Sequence, residues 1–140
     1  MSQATIETPA RTRAQAQVTV HRHESEPFDD QAAPELAELK LWERFTGGIE
    51  AESTVRALQM RDANGAIRQV SLQRMTGTLG GREGTFVLQG SGTVEEGAIT
   101  ATWFVVPGSG TGDLTGLRGE GGFEGKFGQG SIATLDFWFE

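Results

Sequence analysis

Val105-Val106-Pro107-Gly108-Ser109-Gly110-Thr111-Gly112-Asp113-Leu114-Thr115-Gly116-Leu117-Arg118-Gly119 is the stretch on which the reading of the fold turns. Its glycines invite a phosphate cradle, but the spacing does not support one. Asp113 stands where G-x-G-x-x-G needs its third glycine, and no Gly-Lys-Ser/Thr follows to make a P-loop. The segment is a glycine-punctuated loop between two strand-like runs, and the nucleotide reading is set aside.

Outward from that loop, the chain is a succession of strands. Twenty glycines, many Thr and Val, and turn signals about every ten residues are the pattern of an all-β barrel or sandwich. Eight runs are expected: Ala16 to Glu24, Ala37 to Thr46, Ile49 to Arg61, Ile67 to Leu79, Thr85 to Val94, Ala98 to Val106, Arg118 to Phe127 and Ser131 to Phe139. Pro34-Glu35 could begin a helical turn. Leu39, Leu41 and Phe45, however, alternate with Lys40, Trp42 and Arg44, which reads as strand from about Ala37. Gly47-Gly48 and Asn64-Gly65 suit tight hairpins, and Gly80-Gly81-Arg82-Glu83-Gly84, Glu95-Glu96-Gly97 and Gly128-Gln129-Gly130 suit longer turns. Short links make consecutive strands antiparallel neighbours, and pairing the last strand with the first removes both edges. The expectation is an eight-stranded antiparallel up-and-down barrel over residues 14–140, preceded by a polar, disordered leader over 1–13.

Composition excludes several functions. Twelve basic against nineteen acidic residues give a formal charge of -7, and the arginines are scattered among acids, so neither nucleic acid nor an anionic membrane surface is an expected partner. No apolar run reaches the roughly 18 residues of a membrane span, and the N-terminus lacks the apolar core of a secretory signal. A cytoplasmic protein is the expectation. The absence of cysteine removes disulfides, thiolate metal sites and thiol nucleophiles. No cofactor is expected.

Phe45-Thr46-Gly47, Ile49-Glu50, Gly77-Thr78-Leu79-Gly80-Gly81-Arg82, Phe86-Val87-Leu88-Gln89, Ala101-Thr102-Trp103, the Val106-to-Gly112 loop, Leu114, Gly116-Leu117-Arg118-Gly119 and Leu135-Asp136 carry a resemblance. From about Val18 to Phe139 the chain resembles the bacterial family called domain of unknown function 3224. That resemblance implies an allene-oxide-cyclase-like, calycin-type barrel and assigns no general reaction. It also implies departures: the family tends to place tryptophan and glutamate where this chain has His23 and Ser25, glutamate at Gln73 and histidine at Gly90. If those positions line the bore, this chain has a more neutral and roomier interior.

The candidate chemistry follows. A barrel of this size is filled by its own side chains or holds one small ligand. Glycines 90, 92, 119, 121, 122 and 125 read as corner kinks before cavity-makers. His21 and His23, two apart on a strand, share a face and a potential metal, but Ser25 comes next and no third ligand is legible; no metal is expected. His23 alone is a candidate pocket base. Of the strand carboxylates Glu43, Glu52, Glu120, Glu124 and Asp136, most are expected in solvent. Asp136 is buried beside Trp138 if Ile132 and Thr134 face inward, and solvated if Leu135, Phe137 and Phe139 do; the three apolar residues favour the second. Catalytic candidates are thus His23, Gln73 and Asp136, with Trp42, Ser71, Met75, Phe86, Leu88, Gly90, Trp103 and Trp138 lining a pocket. Gln89 and Thr102 supply further polar tips. No Ser-His-Asp arrangement or nucleophile elbow is readable. A compact hydrophobic or aromatic molecule in the bore is the expected partner, and any reaction would be a cofactor-free cyclisation, isomerisation or proton transfer. Apolar residues on both faces of Trp103-Phe104-Val105-Val106 and Phe137-Trp138-Phe139 suggest the alternative, a homodimer or homotrimer acting through its outer surface.

Overall fold

A computed structural model describes residues 10–126 and 129–140. Eight strands follow one another: β1 Thr12–Asp29, β2 Glu35–Gly47, β3 Ile49–Arg61, β4 Ile67–Leu79, β5 Arg82–Glu95, β6 Ala98–Val105, β7 Leu117–Lys126 and β8 Ser131–Phe139. Each pairs antiparallel with its successor, and β8 returns to β1, giving a closed barrel. The expected runs for β3, β4 and β8 coincide with the strands, whereas β1 is twice the expected length. Its polar outer half, Arg22-His23-Glu24-Ser25-Glu26, alternates no apolar residues; β2 holds it in the sheet through pairs reaching Asp29↔Leu36. β1 also begins at Thr12, so residues 12 and 13 of the expected leader are strand. Residues 1–9 of that leader, and Phe127 with Gly128, lie outside the described residues.

Closure decides which face is inside. On β3 every odd position from Ile49 to Ala57 is buried and every even one exposed, the period-two pattern of a strand with one face on a core. On β8 the buried residues are Ala133, Leu135 and Phe137. The lower bore, at the end carrying the β2–β3, β4–β5 and β6–β7 links, is solid. Phe45, Ile49, Met75, Leu79, Leu88, Leu114, Leu117 and Leu135 are all fully buried there.

The glycine-rich loop has two jobs at that end. β5 below Leu88 has no β6 residue beside it, and the loop takes the place of a strand: Val106 N–H donates to Val87 O and Thr111 N–H to Thr85 O, both at 2.9 Å. The hydroxyls of Ser109 and Thr111 accept from the amides of Val87 and Thr85, each at 3.1 Å. An otherwise open edge is thereby satisfied. The chain then makes one 3-10 turn, Gly112–Leu114, that drops Leu114 into the bore as a plug. Gly110 is required because a Cβ there would overlap the Leu114 carbonyl. At the other end Asp62 caps the β3–β4 hairpin, its Oδ1 accepting from Asn64 and Ala66 amides at 2.9 and 3.0 Å. Among the described residues no helix is long and apolar enough to cross a membrane.

Leu114→Ala is expected to lower stability by about 2–5 kcal/mol in urea denaturation, as for other buried leucines. Leu58→Ala, on the outer face, should cost less than about 1 kcal/mol. Equal effects would mean that the loop does not plug the bore.

Candidate functional site

Beyond the apolar plug, three polar side chains from adjacent strands face one another inside the barrel. Glu43 on β2, Ser53 on β3 and Gln73 on β4 are 7%, 3% and 5% exposed. Glu43 is the direct cross-strand partner of Ser53, and the Gln73 amide joins them, donating to Ser53 Oγ at 2.9 Å and to Glu43 Oε1 at 3.4 Å. Among the described residues, Glu43 is the one buried charged side chain; Glu35 and Arg61 pair at the barrel rim above it. It has no cation beside it. Burial therefore dominates its electrostatics: desolvation of the ionised form pushes the carboxyl up to about 7, against a smaller opposing pull from the Gln73 hydrogen bond.

Aromatic rings from opposite walls complete this layer. Phe45, two residues from Glu43 on the same face of β2, lies 6.2 Å from Trp103 of β6, and Trp103 lies 5.4 Å from Phe123 of β7. Trp103 stands opposite Gly121. Its indole N–H crosses bare β7 backbone to donate to Thr134 O on β8 at 3.0 Å. A Cβ at Gly121 would overlap that same carbonyl. The β7 glycine thus serves close approach and the passage of an indole, a use beyond the kinks and cavities expected. Gly90 is tight as well: a Cβ there would stand 3.0 Å from Thr102 O and 3.2 Å from Ser71 Oγ.

Above this layer the bore is open to solvent. Inward-facing Leu39, Leu41, Gln69, Ser71, Ile99 and Ala101 are half-buried, in contrast to the sealed residues below. The wall itself is incomplete, since β1 pairs with β8 only from Thr12 to Val18 and keeps β2 alone from Thr19 onward.

The expected site residues divide accordingly. Gln73 is in the polar trio, and Ser71, Gly90 and Trp103 face the bore near it. Met75, Phe86 and Leu88 fill the packed core. Asp136 requires correction: it points outward and binds Arg13 at 2.8 and 3.0 Å, which holds its carboxyl below the usual range. Trp42 and Trp138 are also outside, each under an arginine, with Arg22 at 4.5 Å and Arg11 at 4.4 Å from the ring centres. The histidines do not share a face. A bulge between Val20 and Arg22 turns His21 outward, where it meets Glu52 at 3.4 Å, while His23, exposed, pairs with inward-facing Leu41. Glu43 was not among the expected site residues, because its charge argued for solvent; the signal that could have found it is the face it shares with Leu39, Leu41 and Phe45.

Outside the barrel, a groove of about 950 Å³ crosses the sheet, walled by Leu58, Val70, Leu72 and Phe104. These four are among the exposed large hydrophobics.

The architecture is that of an up-and-down antiparallel β-barrel, plugged at one end and holding a buried carboxyl beneath an open mouth. The chain belongs to the family described as protein of unknown function, DUF3224, whose model matches residues 14–138. It is similar in structure to a protein with unknown function from the same family from Shewanella oneidensis MR-1, with 29% sequence identity, a TM-score of 0.75, and 93% of this chain and 98% of that one covered. No curated protein matches the chain.

The raised Glu43 carboxyl makes stability depend on pH. The folded state holds the proton more tightly than the unfolded chain, so this contribution is fully present below about pH 4.5 and is lost as pH rises to about 7. Glu43→Gln should therefore gain stability relative to wild type by about 3 kcal/mol between pH 4 and pH 8. Urea denaturation at the two pH values measures it, and a difference that does not change with pH would show Glu43 to be solvated.

Proposed function

We propose that the protein binds a compact apolar or aromatic molecule bearing a hydrogen-bonding group, held in the open half of the bore with Glu43, Gln73 and Ser53 as its polar contacts. The observation that carries this reading is the polar trio itself. Three buried polar residues in an otherwise apolar barrel weaken folding relative to well-packed apolar ones, and they sit where the sealed core gives way to half-buried walls. A few convergent polar groups in an aromatic-lined recess is the usual composition of a small-molecule site. If chemistry occurs, a carboxyl titrating near neutral pH is suited to proton transfer, with Glu43 accepting or returning the proton.

Trp103 supplies the test. The chain has three tryptophans, and Trp42→Phe with Trp138→Phe leaves only the one at the floor of the open half. Small aromatics should change its emission saturably, and Ser71→Phe, which fills the recess without adding an indole, should abolish the response. A saturable response that survives Ser71→Phe would place the binding elsewhere.

The outer groove favours a second reading, assembly of copies through Leu58, Val70, Leu72 and Phe104. Sedimentation at micromolar concentration should then show an oligomer that Leu72→Asp dissociates; a wild-type monomer would overturn it.

A further inference from the structure

We propose, resting on the bore as the binding site, that its ligand is a small organic cation: a protonated amine on a compact apolar or aromatic body. The hydrogen-bonding inventory of the trio points this way. Gln73 Nε2 is turned toward Glu43 and Ser53, so its amide oxygen remains as an acceptor, beside the second Glu43 oxygen. Among the described residues no buried side-chain polar atom lacks a partner, and neither oxygen has a protein donor, so both look onto space that solvent reaches. Ser53 accepts from Gln73, which frees its hydroxyl proton. With Glu43 ionised, the recess offers two acceptors, one of them anionic, against a single donor. A neutral carbonyl or a carboxylate fits that set poorly, whereas an ammonium, with three donors and no acceptor, matches it.

Two further features agree. The rings of Phe45, Trp103 and Phe123 form the apolar side of the same layer, and aromatic faces attract cations in desolvated sites. The turns at the open end carry acids: Asp29 ending β1 and Asp30 after it, Asp62 after β3, and Glu95 ending β5 with Glu96 after it, all exposed. Such a rim draws cations toward the mouth and repels anions.

Other groups facing Glu43 from the strands around it do not change the sign. Across β2 and β1, Glu43 meets Val20, and exposed His23 is the next bore-side residue outward, opposite Leu41; β3 and β4 present Ser53 and Gln73; Glu35 and Arg61 pair at the mouth. Cation binding requires the ionised carboxylate, so affinity should rise with pH through Glu43's titration near 7.

The experiment uses the full chain with Trp103 as sole tryptophan, titrated with phenethylamine, phenethyl alcohol and phenylacetate from pH 5 to 8. At pH 8 the amine should bind roughly tenfold or more tighter than the alcohol, the scale of one charge-assisted hydrogen bond, and phenylacetate should bind weakest. Amine affinity should fall roughly tenfold by pH 5, toward that of the alcohol, as Glu43 takes up its proton, while the alcohol changes little. Glu43→Gln should level amine and alcohol; His23→Gln should leave the pH midpoint in place. An alcohol that binds as well as the amine, or an amine preference that survives Glu43→Gln, overturns the cation assignment and leaves the bore as the site. Absence of any saturable response overturns both.

Discussion

The ladder between β1 and β8 is the constraint from which the rest of the structure follows. Seven consecutive pairs, Thr12↔Phe137 through Val18↔Ser131, close the sheet. Because side chains alternate, that register assigns every residue of the two paired segments to a face at once, and a slip of one would exchange them. It turns Ala14, Ala16 and Val18 inward against Ala133, Leu135 and Phe137, and it turns Arg13 outward onto Asp136. The closure is also short. β1 runs on for eleven residues past Val18 with β2 as its only ladder partner, and the incomplete wall is what leaves the upper bore accessible.

Packing within the bore follows from how its strands are filled. Small residues on β1 and bare glycines on β7 leave width that a single large side chain occupies, and Trp103 takes it by spanning β7 to the Thr134 carbonyl. Its ring then meets Phe45 from the facing wall. Below that contact, Leu114 completes a dry core. Above it, the next inward position on β2 is Glu43, where an apolar side chain would have continued the core without cost. The aromatic layer and the carboxyl are thus adjacent by construction: one strand carries Phe45 and Glu43 two residues apart.

Much of this was legible in the chain, for identifiable reasons. β3 alternates strictly, and β3 and β4 are bounded by Gly47-Gly48, Asn64-Gly65 and Gly80-Gly81, so their limits could be read directly. The outer half of β1 could not, because nothing in Arg22-His23-Glu24-Ser25-Glu26 marks a face; only pairing to β2 makes it a strand. Trp42 and Trp138 were misleading for a related reason. Aromatic residues suggest an interior, but each here sits one position off the buried register and is covered by an arginine instead. The shared face expected for the two histidines depended on uninterrupted alternation, and a bulge of one residue undid it.

Glu43 is the place where local and global preferences disagree most. The strand pattern demands an apolar residue, the sequence supplies a carboxylate, and no cation compensates it. A structural role would call for a partner: the outward acids Glu52 and Asp136 each have an arginine, at 2.8 Å, whose hydrogen bond outweighs their desolvation. Glu43 has instead one long amide contact and a raised affinity for its proton. Departures of this kind, in a chain otherwise consistent from turn chemistry to core packing, are expected at positions that serve something other than folding. On the proposed reading the missing countercharge comes from outside the chain, so that the identity of the proposed ligand and the cost of the buried carboxyl become one question rather than two.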